Sequence, residues 1–195
     1  MNEIEKRRSI RRYKSDAVAW QTITEIVDAA RLAPSAKNRQ PWKFIVFTGK
    51  QKDRLLDTMN TGIENTEKAL AQTGGDASGL PDAKNTLRIM RQAPVTIIVM
   101  NPGGSSPYEP ADTDTRTTEI CDTLSIGAAV QNLLLAAQEK GLGTLWIANT
   151  LYAYDELCEF IGEKGQLACA ISLGYPDEDP NPRPRKPIED ILEFR

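Results

Sequence analysis

Residues 127–147 read GAAVQNLLLAAQEKGLGTLWI. From Ala128 to Ala137 the apolar side chains fall on more than one face of a helix, which buries that helix in a core or between subunits. The helical pattern begins near Thr117, runs to Lys140 and stops at Gly141, the residue type that most readily closes a helix end. The period then changes, and Thr144 to Ala148 reads as a strand. Three more apolar, β-rich runs lie outside this segment: Phe44 to Phe47, Val95 to Met100 and Leu167 to Leu173.

Helical spacing fills much of the remainder. Ile4 to Ser9 reads as a short helix and Tyr13 to Val18 as a turn. Trp20, Ile23, Ile26, Val27 and Ala30 mark one face of a helix that ends at Pro34. Leu55, Leu56 and Met59 mark another, Asp82 is placed to cap a helix running to Gln92, and Asp155 to Ile161 forms a further one. Residues 60–82 hold Gly62, Gly74, Gly75, Gly79 and Pro81 with few large apolar groups, so they read as a surface excursion, a lid or mobile loop. Beyond Tyr175 come Pro176, Pro180, Pro182, Pro184 and Pro187, an extended tail ending in Ile188, Ile191, Leu192 and Phe194. Those four side chains need a surface, and a partner subunit is a natural one.

The chain has 195 residues, 40% hydrophobic and 26% charged, the profile of one globular domain spanning residues 1–195. At this size roughly 70% of the unfolded surface is buried on folding, so no staple is required. There is no histidine, which excludes Ser-His-Asp and Cys-His nucleophile systems and imidazole zinc sites. Cys121, Cys158 and Cys169 contain no C-x-x-C pair and read as reduced thiols of a cytoplasmic protein. No uninterrupted apolar run reaches the ~18 residues of a membrane span, and the N-terminus lacks the apolar stretch of an export signal.

Formal net charge is −3, which argues against general nucleic-acid binding. Yet Lys6, Arg7, Arg8, Arg11, Arg12 and Lys14 stand together without an acid among them, and Arg183, Arg185 and Lys186 form a second group. Such a cluster is either a solvated face, a polyanion patch or an anion site. For the last reading, arginine forks suit a phosphate, and the Ser9 hydroxyl is a further donor. The segment Pro34 to Trp42 is a helix-to-strand connection. It is also a loop fixed by two prolines whose Ser35, Asn38 and Gln40 would suit the heteroatom edge of a flat heterocycle.

Four motifs in order, RRSIRRY (7–13), APSAKNRQPW (33–42), GAAVQNLLLAA before GLGTLWI (127–147) and RPRKP (183–187), resemble the FMN-dependent nitroreductase family over nearly the whole chain. The resemblance implies an α+β fold: a central, mostly antiparallel sheet of four to five strands flanked by helices. It also implies an intertwined homodimer that exchanges its C-terminal tails and holds FMN in the interface. On this resemblance Arg7, Arg8 and Ser9 would meet the phosphate and ribityl chain, with Arg183 and Arg185 completing the phosphate site. Arg11 would reach the pyrimidine edge and favour the reduced flavin. Pro34, Ser35, Ala36 and Asn38 would come from the other subunit. Leu145, Trp146 and Ile147 would line the ring, and Ser125 would sit by the ring and substrate space.

The implied activity is ping-pong hydride transfer from NAD(P)H through FMN to nitroaromatic or quinone acceptors, without metal, membrane or nucleic acid. Rival readings keep the fold but dehalogenate, or fragment the flavin, or discard enzymology for polyanion binding. Ala36 departs from the glycine or serine frequent there, and residues 60–116 match no subgroup, which leaves the acceptor open.

Overall fold

In the computed structural model, which describes residues 2–195, four strands form one antiparallel sheet in the order β1-β2-β4-β3. They are β1 (Lys43–Thr48), β2 (Val95–Asn101), β3 (Gly143–Ile147) and β4 (Gln166–Gly174). Six helices accompany them: α1 (Asn2–Lys6), α2 (Trp20–Arg31), α3 (Gly49–Thr73), α4 (Leu80–Gln92), α5 (Thr113–Glu139) and α6 (Tyr154–Ile161). This is the α+β architecture expected, with the sheet at four strands.

The central strands explain why their sequences are apolar throughout. On β2, Ile98 and Met100 join a core beneath α3, α4 and α6, while Val95, Ile97 and Val99 join a second core beneath α2 and α5. A strand covered on both faces has no polar side to alternate with. β1, at the sheet edge, is only half-buried over Phe44–Thr48.

Helix α5 begins earlier than its apolar pattern, at Thr113, because the Asp112 side chain caps it by accepting a hydrogen bond from the Thr115 N–H at 2.8 Å. An 18-residue window of α5 has a mean hydropathy of 1.4, so by length and composition the helix could cross a membrane, although no uninterrupted apolar run does so. Here Ala129, Val130 and Leu133 are wholly buried in the core shared with α2.

Residues 60–82 are not a lid or loop. α3 continues to Thr73, Gly74 ends it at φ +69°, and α4 starts at Leu80 after Gly79. Asp82 lies inside the first turn of α4 and is not its cap. The glycine signal misled because Gly62 sits mid-helix for a packing reason. A Cβ there would stand 2.7 Å from the Ala153 Cα, so the close approach of α3 to residues 149–153 requires its absence. α1 also ends sooner than expected, at Lys6, since Ser9 and Ile10 are drawn out alongside β3. Tyr13 is bridged to Pro176 where a turn was expected.

Past Tyr175 the chain holds one short helical turn, Ile188–Asp190. Ile188, Ile191, Leu192 and Phe194 are all exposed.

Candidate functional site

The two ends of the chain meet along the outer edge of β3. The Ile10 N–H donates to the Thr144 carbonyl at 2.9 Å, and Ser9 bridges Thr144 in parallel. Gly143 permits this approach, since a Cβ there would lie 2.7 Å from the Ile10 side chain. Further on, the Lys14 N–H donates to the Tyr175 carbonyl at 2.9 Å and the Asp177 N–H to the Arg12 carbonyl at 3.0 Å. The Tyr13 hydroxyl turns inward to the Ile10 carbonyl at 2.8 Å, and burial raises its pKa. Residues 9–14 are thus tied to β3 on one side and to the start of the tail on the other.

Between them lies a cleft of about 400 Å³ lined by Arg7, Arg8, Ser9, Arg11, Arg183 and Arg185, together with Pro180 and Pro182. Among the described residues none of these five arginines has a carboxylate within salt-bridge distance. What they donate to is backbone: Arg8 to the Glu5 carbonyl at 2.6 Å, Arg11 to that of Ser9 at 3.1 Å, Arg185 to that of Arg183 at 2.9 Å. Burial, and then the neighbouring Arg185 and Arg8, hold the Arg7 pKa below its ordinary value. Glu5 also lines the cleft, but five arginines outweigh its charge, and such a surplus around a concavity makes a field that attracts anions.

Arg11 also lines a second cavity of about 310 Å³. One wall is Leu145 to Ala148 at the end of β3; the other is Asp82, Asn85, Thr86 and Ile89 on α4, with Asn149 at the rim. Leu145 and Ile147 are buried while Trp146 is 43% exposed, so the wall offers backbone and an indole. The Asn149 amide donates to Asp82 Oδ2 at 2.9 Å and to Thr86 Oγ1 at 3.0 Å. Sequence reasoning missed Asp82, Asn85, Thr86 and Asn149 as site residues. The first three lie at i, i+3 and i+4 on one helical face, a spacing that could have marked them.

The remaining candidates are held elsewhere. Ser125 Oγ accepts from the Ala36 N–H at 3.3 Å and donates to the Cys121 carbonyl at 2.7 Å, so it seats the loop and lines neither cavity. Arg39 donates twice to Asp122 Oδ1, at 3.0 and 2.7 Å. The Gln40 N–H donates to Ser35 Oγ at 3.0 Å. Lys37, Asn38 and Gln40 all adopt left-handed φ, at 53°, 53° and 50°, a costly backbone that persists only where its surroundings enforce it. Pro34, Ser35, Ala36 and Asn38 therefore belong to a constrained loop seated on α5, and they line neither cavity of their own chain.

A sequence model of the Nitroreductase family matches residues 4–175. The chain belongs to the nitroreductase family. An iodotyrosine deiodinase of Thermotoga neapolitana is 26% identical over 193 residues, covering 96% of this chain and 92% of that protein. A 4-nitrobenzoate reductase of Nocardioides is 26% identical over 226 residues, covering 96% and 86%. Among solved structures, a Desulfovibrio desulfuricans protein in complex with FMN superimposes with a TM-score of 0.72 at 27% identity, covering 100% of this chain and 95% of that one.

Proposed function

We propose that this nitroreductase-family chain is an NAD(P)H-dependent FMN oxidoreductase acting on nitroaromatic or quinone acceptors. The observation that carries the proposal is a pair of cavities that share Arg11 as a lining residue: a cleft of unpaired arginines and a slot walled by β3. FMN has the matching parts in the matching order, a phosphate dianion, a flexible ribityl chain and a flat ring with one polar edge. When bound, it supplies hydride chemistry that the side chains lack.

The chain's own residues bind and orient. Arg7, Arg8, Ser9, Arg183 and Arg185 hold the phosphate by charge-assisted hydrogen bonds. Arg11, which lines both cavities, would stabilise negative charge on the reduced ring. Leu145, Trp146 and Ile147 would hold the ring, on which donor and acceptor would act in turn. No side-chain acid or base is assigned, in keeping with a sequence that has no histidine.

A second copy of the chain completes the site in this reading. The loop carrying Pro34, Ser35, Ala36 and Asn38 lines neither cavity of its own chain, which supports a role at the cleft of the partner. Ile120 and Leu124, exposed on α5 at 55% and 70%, would be covered in the homodimer. The open edge of β1 and the uncovered end of the tail are complementary in the same way. Residues 1–195 act as one FMN-binding unit, and the dimer is the working form.

The likeness to a deiodinase raises dehalogenation as an alternative chemistry. Gripping a zwitterionic substrate needs free charges of both signs over the ring, whereas Glu67 and Lys84 are tied to each other at 2.7 Å. The test is direct. The purified protein should be yellow, release FMN on denaturation, and reduce nitroaromatics and quinones with NAD(P)H along parallel double-reciprocal lines. Intersecting lines would remove the shared-site scheme, and a colourless protein unable to take up FMN would overturn the assignment.

A further inference from the structure

Glu178 lies beside the most basic part of the molecule, and its hydrogen bonds are accepted from backbone. The Glu178 carboxylate accepts hydrogen bonds through Oε1 from the N–H groups of Arg11 and Arg12, the latter at 3.2 Å. Its Oε2 lies 3.5 Å from Arg12 Nε, and the side chain is 18% exposed. Arg12 lines neither cavity. Glu178 therefore pairs with Arg12 and with none of the five cleft arginines.

Segments bearing like charges do not converge unaided. We infer that Glu178 is a positioning residue that clamps the N-terminal strand to the tail, so that Ser9 and Arg11 from one end of the chain and Arg183 and Arg185 from the other face a single cleft. The pairing of residues 12–14 with 175–177 brings the segments together, and Glu178 is the next residue along the tail. From there Pro180, Pro182 and Pro184 fix alternate φ angles up to the arginines, so the anchored direction is passed on. The inference rests on the reading of the cleft as the phosphate site of FMN.

Electrostatics and geometry predict opposite signs. A carboxylate near a phosphate repels it, so a purely electrostatic Glu178 would weaken FMN binding and any neutral replacement would tighten it. A positioning Glu178 helps binding through its hydrogen bonds. Glu178→Gln keeps an acceptor oxygen at the same reach and removes the charge. Glu178→Ala removes both, and Glu178→Asp keeps the charge but is one methylene too short.

The experiment measures FMN and riboflavin affinities of the full-length, flavin-stripped protein and the three variants. Wild type should prefer FMN to riboflavin by about tenfold or more, the worth of one charge-assisted bond. Glu178→Gln should bind FMN at least as tightly as wild type. Glu178→Asp and Glu178→Ala should each lose about tenfold for FMN and little for riboflavin, a split that general loosening of the fold would not give. Should Glu178→Ala fail to fold, the comparison of Gln with Asp decides alone. Tighter FMN binding by Ala or Asp, or equal losses for Gln and Asp, would overturn the clamp and leave the phosphate reading intact. A wild type indifferent to the phosphate would overturn both.

Discussion

Arg185 lies close enough to Arg7 to disfavour its charge, and neither arginine forms a salt bridge among the described residues. Their crowding is tolerated for what it can bind. Replacing Arg183 and Arg185 together by alanine should weaken FMN binding by several kcal/mol, at about 1.5–3 kcal/mol for each charge-assisted bond. Riboflavin affinity should hardly change, and equal losses for both ligands would place these arginines outside the phosphate site. Arg11 differs, because its charge bears on the ring. Arg11→Ala, loaded with FMN, should show a lower flavin reduction potential in a spectroscopic redox titration; an unchanged potential would remove Arg11 from the chemistry. Burial pushes the Cys169 thiol up to about 12 and raises that of Cys158 as well, so thiol reagents at pH 8 should label the half-buried Cys121, react more slowly at Cys158 and spare the buried Cys169. A raised folded-state pKa means the native state keeps a proton that the unfolded state gives up. Stability should accordingly fall as pH rises from about 9 towards 12, and Cys169→Ala should remove that part of the alkaline loss. The arginines were legible in the sequence because six cations within nine positions need no fold to be noticed. Asp82 and Asn149 were not, since their meeting depends on how α4 docks against the end of β3.

At the scale of elements, what could be read was what the core dictates. β2, β4 and α5 are apolar because both faces of the sheet are covered, and their places follow from that alone. α3 was misjudged past Met59 because glycine and sparse apolar groups argue locally for a loop, and tertiary packing overrode that preference. Gly62→Ala tests the explanation. The added methyl would favour an isolated helix, by roughly 1 kcal/mol, but here it meets Ala153 backbone. The variant should unfold at lower denaturant concentration, by an overpacking cost of about 1–3 kcal/mol. An unchanged or higher midpoint would mean that α3 and the 149–153 turn are not in close contact.

On the scale of the whole molecule, the tail does, in the proposed reading, two jobs in separable pieces. Residues 176–185 contribute bridges and arginines to their own cleft, whereas Ile188, Ile191, Leu192 and Phe194 touch little of the chain that carries them. Each is worth about 1.5–3 kcal/mol when fully buried, enough together to hold two copies. A chain truncated after Pro187 should shift towards monomer in sedimentation and bind FMN less tightly, having lost the partner's loop. A truncated protein that stays dimeric would show that α5 and its neighbours suffice. Leu124→Lys, on the exposed face of α5, should cause the same dissociation with the tail intact. From composition the tail could be read only as a need for cover, and within one chain its last four apolar side chains stay exposed.

The meeting of the two chain ends beside β3 also has a consequence in time. Because both Arg7 and Arg185 line the cleft, a chain still emerging from the ribosome has only half of its phosphate site. On the proposed reading, loading with cofactor would follow release, and a chain that ends before Arg183 should stay colourless. Colour thus reports that synthesis has run to completion.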